Sequence, residues 1–144
     1  MNISIDQLKA VTVILRASQA IQEVIKEDVA KYGLNPTEFS VLELLYHKGE
    51  QPIQMIGKMV LISSSSITYV IDKLEQKKYV RRQGCPEDRR VIYAVLTEEG
   101  KELMDDIFPQ HVMEIEKVFE DLNANELIQT ISLLKRVGYK AKNK

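Results

Sequence analysis

Cysteine is nearly absent from this sequence: Cys85 is the only one in 144 residues. A single thiol cannot build an intrachain disulfide framework or a cysteine-rich metal site. Histidine is almost as scarce, and His47 and His111 add too little to suggest zinc, so neither a metal nor a cofactor is expected. Long apolar runs are also missing; none approaches the roughly 20 residues of a membrane span. The opening MNISIDQLKA has no basic n-region and no unbroken apolar stretch, so secretion is not expected and the cytoplasm is the expected compartment. Aromatic residues make up only 6% of the chain against 28% charged, the balance of a soluble, helix-rich protein. No Ser/His/Asp spacing, paired-carboxylate pattern or glycine-rich phosphate loop is present, and Gly84 and Gly100 read as turn and cap residues. An enzyme is therefore not expected.

A strong excess of either charge is lacking too, with a net of −1. The distribution says more than the total. Residues 1–35 are neutral, 36–97 carry +2 and 98–144 carry −3. Within the middle block, Lys73 to Arg90 holds seven basic residues against three acidic ones. A weakly acidic protein can still present a locally basic face, which permits nucleic-acid binding without requiring it.

What is present is a length and a hydrophobic content of 44% that suit one domain with one core. From Ile5 to about Tyr32, Leu8, Val11, Leu15, Ser18, Ile21, Ile25 and Val29 recur in three- and four-residue steps, predicting a long amphipathic helix that Gly33 stops. Asn35-Pro36-Thr37-Glu38 is a helix-start pattern, and the helix after it, to about His47, is apolar on most sides. Pro52 bounds a short helix from Ile53 to Met59, within which Gly57 suggests close passage of another helix. After an apolar turn at Leu61-Ile62, Ser63 can cap a helix from Ser64 to Lys78. Tyr79–Arg82 and Val91–Leu96 then read as strands around a charged, turn-rich connection. Thr97 caps a helix with a kink expected at Pro109, and Asn123 to Glu126 caps a last helix whose tail, Lys140 to Lys144, is expected to fray. The fold class is mainly α with a small β-hairpin: a winged helix-turn-helix plus terminal helices.

In the helix from Ser64, the residues Ile67, Val70, Ile71 and Leu74 share one face. Ser65, Tyr69, Asp72 and Gln76 face the other way, flanked by Ser66, Thr68 and Lys73, with Ser64 at the helix start. Small hydroxyls let a helix approach DNA closely and bond to phosphates or base edges, while Tyr69 reaches further and Lys73 adds charge. An ordinary solvated helix face explains the same residues equally well. Asp88-Arg89-Arg90 shifts the balance, because an arginine at a wing tip can enter the minor groove and an adjacent aspartate can hold it extended. A plain surface salt bridge is the alternative.

The run from Asp88 to Gly100 resembles the D-x-R, strand, L-T-x-x-G signature of the MarR family of transcriptional regulators. Ile67 to Glu75 is similar to that family's recognition helix, and the resemblance spans essentially the whole chain. Two departures stand out: Lys78 replaces a common glycine at the end of the recognition helix, where it could add a phosphate contact, and Gly57 replaces a usual alanine. The resemblance implies one MarR-like domain over 1–144, with a DNA-binding lobe at 36–97 and dimerisation helices at 1–35 and 98–144. It implies major-groove reading by Ser64 to Lys73, and minor-groove reading by Arg90, oriented by Asp88 and helped by Arg89. It also implies a homodimer on double-stranded DNA carrying an inverted repeat, commonly as a repressor. The apolar terminal helices make a dimer reasonable on their own account.

Asn35 to Gly49 is similar to the MhqR-type branch, which responds to quinones and related aromatics, so a small aromatic or quinone effector or an oxidant is the expected signal. Arg16, Tyr46 and His47 are the candidate effector-pocket residues, each equally explained as structural. Cys85, among the wing arginines, is the possible redox residue; an incidental thiol is the plainer reading. A winged-helix protein-interaction module without sequence-specific DNA binding is the competing function, and it would not need arginines at the wing tip.

Overall fold

The segment that is apolar on most of its circumference lies at the centre of the core: Phe39, Val41, Leu42 and Leu45 are all buried. The structure, a computed structural model, describes residues 3–60 and 64–144. The chain runs α1 (Ile3–Ala30), α2 (Pro36–Lys48), β1 (Gln51–Pro52), α3 (Ile53–Met59), α4 (Ser64–Gln76), β2 (Val80–Gly84), β3 (Ile92–Leu96), α5 (Glu98–Val118) and α6 (Ala124–Lys142).

Local chemistry sets the helix ends. Gly33, at φ +74°, takes the left-handed position that closes α1; the Leu34 amide then reaches back to the Val29 carbonyl at 3.3 Å. Asn35 opens α2 with a reciprocal cap. Its side chain accepts from the Glu38 amide at 2.8 Å, and its own amide donates to Glu38 Oε1 at 2.9 Å. Thr97 caps α5, and Asn123 with Glu126 forms a second reciprocal cap on α6, as the sequence predicts. α5 stays helical through Pro109. α6 continues to Lys142, so the fraying expected from Lys140 does not occur that early. The expected Ser63 cap and the Leu61-Ile62 turn lie outside the described residues, as do the side chains of Ser64 and Ser65.

The sheet is antiparallel, ordered β1-β3-β2, with Gln51 opposite Ala94, Val80 opposite Leu96 and Gly84 opposite Ile92. β1 has no counterpart in the sequence-based expectation. Two residues are too few to show alternation, and Pro52 is tolerated only because it sits at an edge. The hairpin is also shifted from its expected limits. Tyr79 belongs to the helix end, its amide bonded to the Leu74 carbonyl, while β2 runs on to Gly84.

α2 packs against α4, α5 and β3, and α3 lies chiefly on α4, with Gly57 buried. Ile56, Ile67, Ile71, Leu74, Val80, Ala94, Met104 and Ile107 complete the core. The terminal helices contribute unevenly. α1 reaches the core through Val29 and, less deeply, Ile25, whereas Leu8 is 68% exposed and Leu15 is open as well. α6 buries no residue.

Candidate nucleic-acid interface

The periodicity of α4 sorts its side chains as the sequence predicts. Ile67, Val70, Ile71 and Leu74 are buried, while Ser66, Thr68, Tyr69 and Asp72 are exposed. Lys73 is half-buried and holds its ammonium 5.4 Å from the centre of the Tyr69 ring, a cation–π contact that stiffens both long side chains. A helix whose outward face offers hydroxyls, one aromatic ring and one cation has the chemistry for phosphates and base edges.

Asp72 and Glu75 stand on the same helix and would repel a phosphate backbone. Arg82 of β2 answers both. Its guanidinium lies 2.8 Å from Asp72 Oδ1 and also pairs with Glu75, whose second oxygen accepts from the Arg82 amide at 3.2 Å. One side chain thus offsets two charges and fastens the hairpin to the helix. In the sequence Arg82 reads only as part of a basic wing, and this role is not apparent. The available signal was a pair of acids three residues apart on the helix, followed by an arginine early in the next strand.

At the hairpin tip, Asp88 organises both backbone and side chain. Its carbonyl accepts from the Val91 amide at 3.1 Å and its Oδ1 from the Arg90 amide at 3.0 Å, an Asx-type turn. The same carboxylate accepts Arg90 Nε at 3.1 Å and an Arg90 Nη at 3.2 Å, a two-pronged pairing of planar groups. These bonds to Arg90, the side-chain ones foremost, hold the Asp88 carboxyl below its ordinary range. Arg90 is nevertheless 89% exposed. It is oriented and open, and Arg89 beside it is exposed as well.

The pattern of the MarR family matches residues 34–92. Across 135 residues, 94% of this chain and 93% of the relative, the sequence is 50% identical to the HTH-type transcriptional regulator MhqR of Bacillus subtilis. The chain belongs to the MarR family. It is a winged helix-turn-helix transcriptional regulator, and its similarity to MhqR supports the branch that the α2 region suggests. AbsC, a MarR family regulator of Streptomyces coelicolor, superposes with a TM-score of 0.87 at 25% identity, over 95% of each chain. Sco3205 of the same organism, solved in complex with DNA, gives a TM-score of 0.86 at 20% identity, over 94% of this chain and 87% of its own.

The MarR signature L-T-x-x-G has a mechanical meaning here. Thr97 accepts from the Gly100 amide at 3.0 Å, donates its hydroxyl to the Lys78 carbonyl at 2.7 Å, and donates its amide to the Tyr79 carbonyl at 3.0 Å. Gly100 lies so close to the Tyr79 carbonyl oxygen that a Cβ would collide with it. The start of α5 is therefore bolted to the corner between α4 and β2. Lys78, which replaces the family's common glycine, sits at φ +69° in that corner. Its amide bonds the Glu75 carbonyl at 2.9 Å and the Tyr79 amide bonds that of Leu74 at 3.0 Å, the pattern of a glycine-type helix stop. The fold demands a left-handed residue there, and lysine supplies it at some strain.

The effector candidates are not brought together as a group. Tyr46 donates to Asp105 at 2.5 Å; chiefly through that bond its hydroxyl titrates above its ordinary range and Asp105 below its own. His47 packs edge-on against Phe108 at 4.7 Å, and Tyr46 lies 5.9 Å from the same ring. These two side chains thus share an aromatic seam between α2 and α5. A cleft of about 440 Å³ between α2 and the end of α3 has His47, Leu44 and Met59 in its wall, but neither Tyr46 nor Arg16. Arg16 lies on the exposed middle of α1. Cys85 is half-buried at the start of the wing tip, its amide bonded to the Val91 carbonyl at 3.1 Å. Among the described residues no cluster of histidine, cysteine, aspartate or glutamate could hold a metal.

Proposed function

We propose that this regulator is a cytoplasmic homodimeric repressor that binds an inverted repeat and leaves DNA when a small aromatic or quinone-type compound, or an oxidant, reaches it. Residues 36–97 form the DNA-binding lobe, and 1–35 with 98–144 form the dimerisation helices. Ser64, Ser65, Ser66, Thr68, Tyr69 and Lys73 read the major groove; Arg90, oriented by Asp88 and aided by Arg89, reads the minor groove.

The observation that carries this reading is the Arg90 side chain, 89% exposed yet gripped at two points by Asp88. A free surface arginine would sample many rotamers and lose entropy on binding; a pre-oriented one loses less. Similar folds solved with DNA, Sco3205 and the MepR complex of Staphylococcus aureus, support the use of this scaffold on duplexes. The dimer is supported by apolar surface that one chain leaves uncovered: Ile5, Leu8, Val11 and Leu15 on α1, and Ile128, Ile131, Leu134 and Val137 on α6. Apolar faces of this extent mark an interface. Pairing across a two-fold axis would set two recognition helices roughly 34–36 Å apart, one turn of DNA. The aromatic seam of Tyr46, His47 and Phe108 supports an aromatic effector, and Cys85 is the site for an oxidant.

Fragments of the source genome bound by the purified protein, footprinted and then challenged with quinones, phenolics and peroxide, test all three parts. Protection of two half-sites by a dimer, and release by one of these classes, is the expected result. Binding as a monomer to a single site would overturn the dimer, and indifference to every compound would overturn the effector assignment.

A further inference from the structure

Lys77 stands just beyond the end of α4, and its side chain, 35% exposed, turns its ammonium onto internal acceptors rather than leaving it free for a basic patch. Its ammonium donates to both oxygens of Glu38, at 3.0 and 2.9 Å, and to the Gly33 carbonyl at 2.8 Å. All three donors of the ammonium are thereby used. All three acceptors belong to the corner where α1 gives way to α2. Glu38 is only 4% exposed, and its Oε1 also takes the Asn35 amide in the cap of α2. Gly33 is the left-handed residue that closes α1. The far side of the same 77–79 segment is held by Thr97 and Gly100 at the head of α5. The end of the recognition helix is thus fixed to both elements that lead into the terminal helices, and on the α1 side by one ammonium.

We infer that Lys77 is a positioning residue for operator binding, setting the angle between α4 and α1 and so the spacing of the two recognition helices in the dimer. The inference rests on the homodimer and inverted-repeat reading given above. Its physical basis is leverage. α1 has 28 residues and is about 42 Å long, so a small rotation at its corner becomes a shift of several ångströms at its far end. The core does not need Lys77 to form, because α2 packs against α4 and Leu42, Ile71 and Leu74 are fully buried without it. Loss of Lys77 would leave the Glu38 carboxylate with the Asn35 amide alone, free to reorient the corner without emptying the core.

The test measures binding of the wild-type protein, Lys77→Met, Lys77→Arg and Glu38→Gln to the genomic fragment recovered with wild type, and to derivatives with one or two base pairs added or removed between half-sites. Glutamine at 38 keeps an acceptor for the α2 cap while removing the charge that Lys77 needs. Lys77→Met and Glu38→Gln should remain folded dimers, bind the native spacing about tenfold more weakly, and discriminate poorly among spacings. Lys77→Arg should recover the spacing preference. Wild-type affinity and wild-type spacing preference in both Lys77→Met and Glu38→Gln would overturn the inference. So would a uniform loss at every spacing that follows only the fraction of folded protein. If Lys77→Met does not fold, Glu38→Gln decides alone, and an unaltered spacing profile in it overturns the inference. A wild-type protein indifferent to spacing would overturn the inverted-repeat reading itself, and this inference with it.

Discussion

Arg82 bridges Asp72 and Glu75, so the hairpin carries the cation that offsets the acids of the recognition helix. Arg82 is only 27% exposed, so its pairs are screened by water in part and hold the hairpin to α4 as well as serving binding. Arg82→Met would leave two uncompensated carboxylates beside the DNA and free the hairpin to move. Operator affinity is expected to fall about tenfold or more, with a smaller drop in melting temperature from the loosened hairpin. Adding Asp72→Asn should restore part of the loss, because the repulsion goes with the charge. Fluorescence anisotropy across a salt series checks this; a double variant no better than Arg82→Met would sink the repulsion argument.

Arg90→Ala is expected to weaken operator binding strongly while leaving the protein folded, and Asp88→Asn to weaken it less. The pH behaviour follows from the direction of the Asp88 shift. Its folded-state titration lies below the ordinary carboxylate range because Arg90 bonds favour the charged form. The clamp is therefore complete above the ordinary carboxylate range and is lost only as pH falls through the depressed midpoint. A carbon-detected titration of Asp88 should show that midpoint move up in Arg90→Gln. An unmoved midpoint would mean that Arg90 does not grip Asp88 in solution.

The residues that were legible in the sequence are those whose role is local. Gly33, Asn35, Thr97 and Asn123 announce helix ends because capping depends on neighbours within a few positions, and Asp88 with Arg90 is a bond across two residues. The face of α4 was legible because burial follows the helical period. Lys77, Arg82 and the close approach of Gly100 to the α4–β2 corner were not. Their partners are Glu38, Asp72 and Tyr79, and each pairing exists only once helix, corner and strand are folded together. The basic run from Lys73 to Arg90 looked like one patch; in space, Lys77 and Arg82 are spent on internal acids. Arg16 was grouped with Tyr46 and His47 by chemistry alone, and nothing in the fold brings it into the cleft beside α2.

Gly100→Ala should be among the most damaging small substitutions in the chain. The added methyl would meet the Tyr79 carbonyl, which is already committed to the Thr97 amide and cannot retreat without loosening the corner. Overpacking against backbone costs roughly 1–3 kcal/mol. Urea denaturation checks the size of the loss, and a stability equal to wild type would show that α5 is not seated as described.

Lys78→Gly separates two roles of one residue. Glycine adopts the left-handed corner without the Cβ penalty, so stability should rise by up to about 1 kcal/mol. Removal of an exposed cation next to the DNA-binding helix should at the same time lower the salt slope of operator binding by about one unit if Lys78 contacts phosphate. A higher melting temperature with an unchanged slope would assign lysine no DNA contact. A lower melting temperature would contradict the strained corner.

Asp28 and His111 join α1 to α5 beneath the aromatic seam. Asp28 is 2% exposed, its Oδ2 lies 2.8 Å from His111 Nδ1, and the imidazole packs 4.5 Å from the Phe39 ring. Each partner satisfies a buried polar group of the other. Asp28→Ala strands the imidazole nitrogen and empties space, and should cost roughly 1–3 kcal/mol. Asp28→Asn keeps an acceptor within reach and should cost clearly less. His111→Phe removes the other end and leaves the carboxylate with only the longer 3.5 Å contact to Lys31, so it should destabilise even though its ring fits the aromatic environment. Chemical denaturation of the three variants ranks them. Equal losses for Asp28→Ala and Asp28→Asn would mean that the hydrogen bond contributes nothing and that packing alone holds the two helices together.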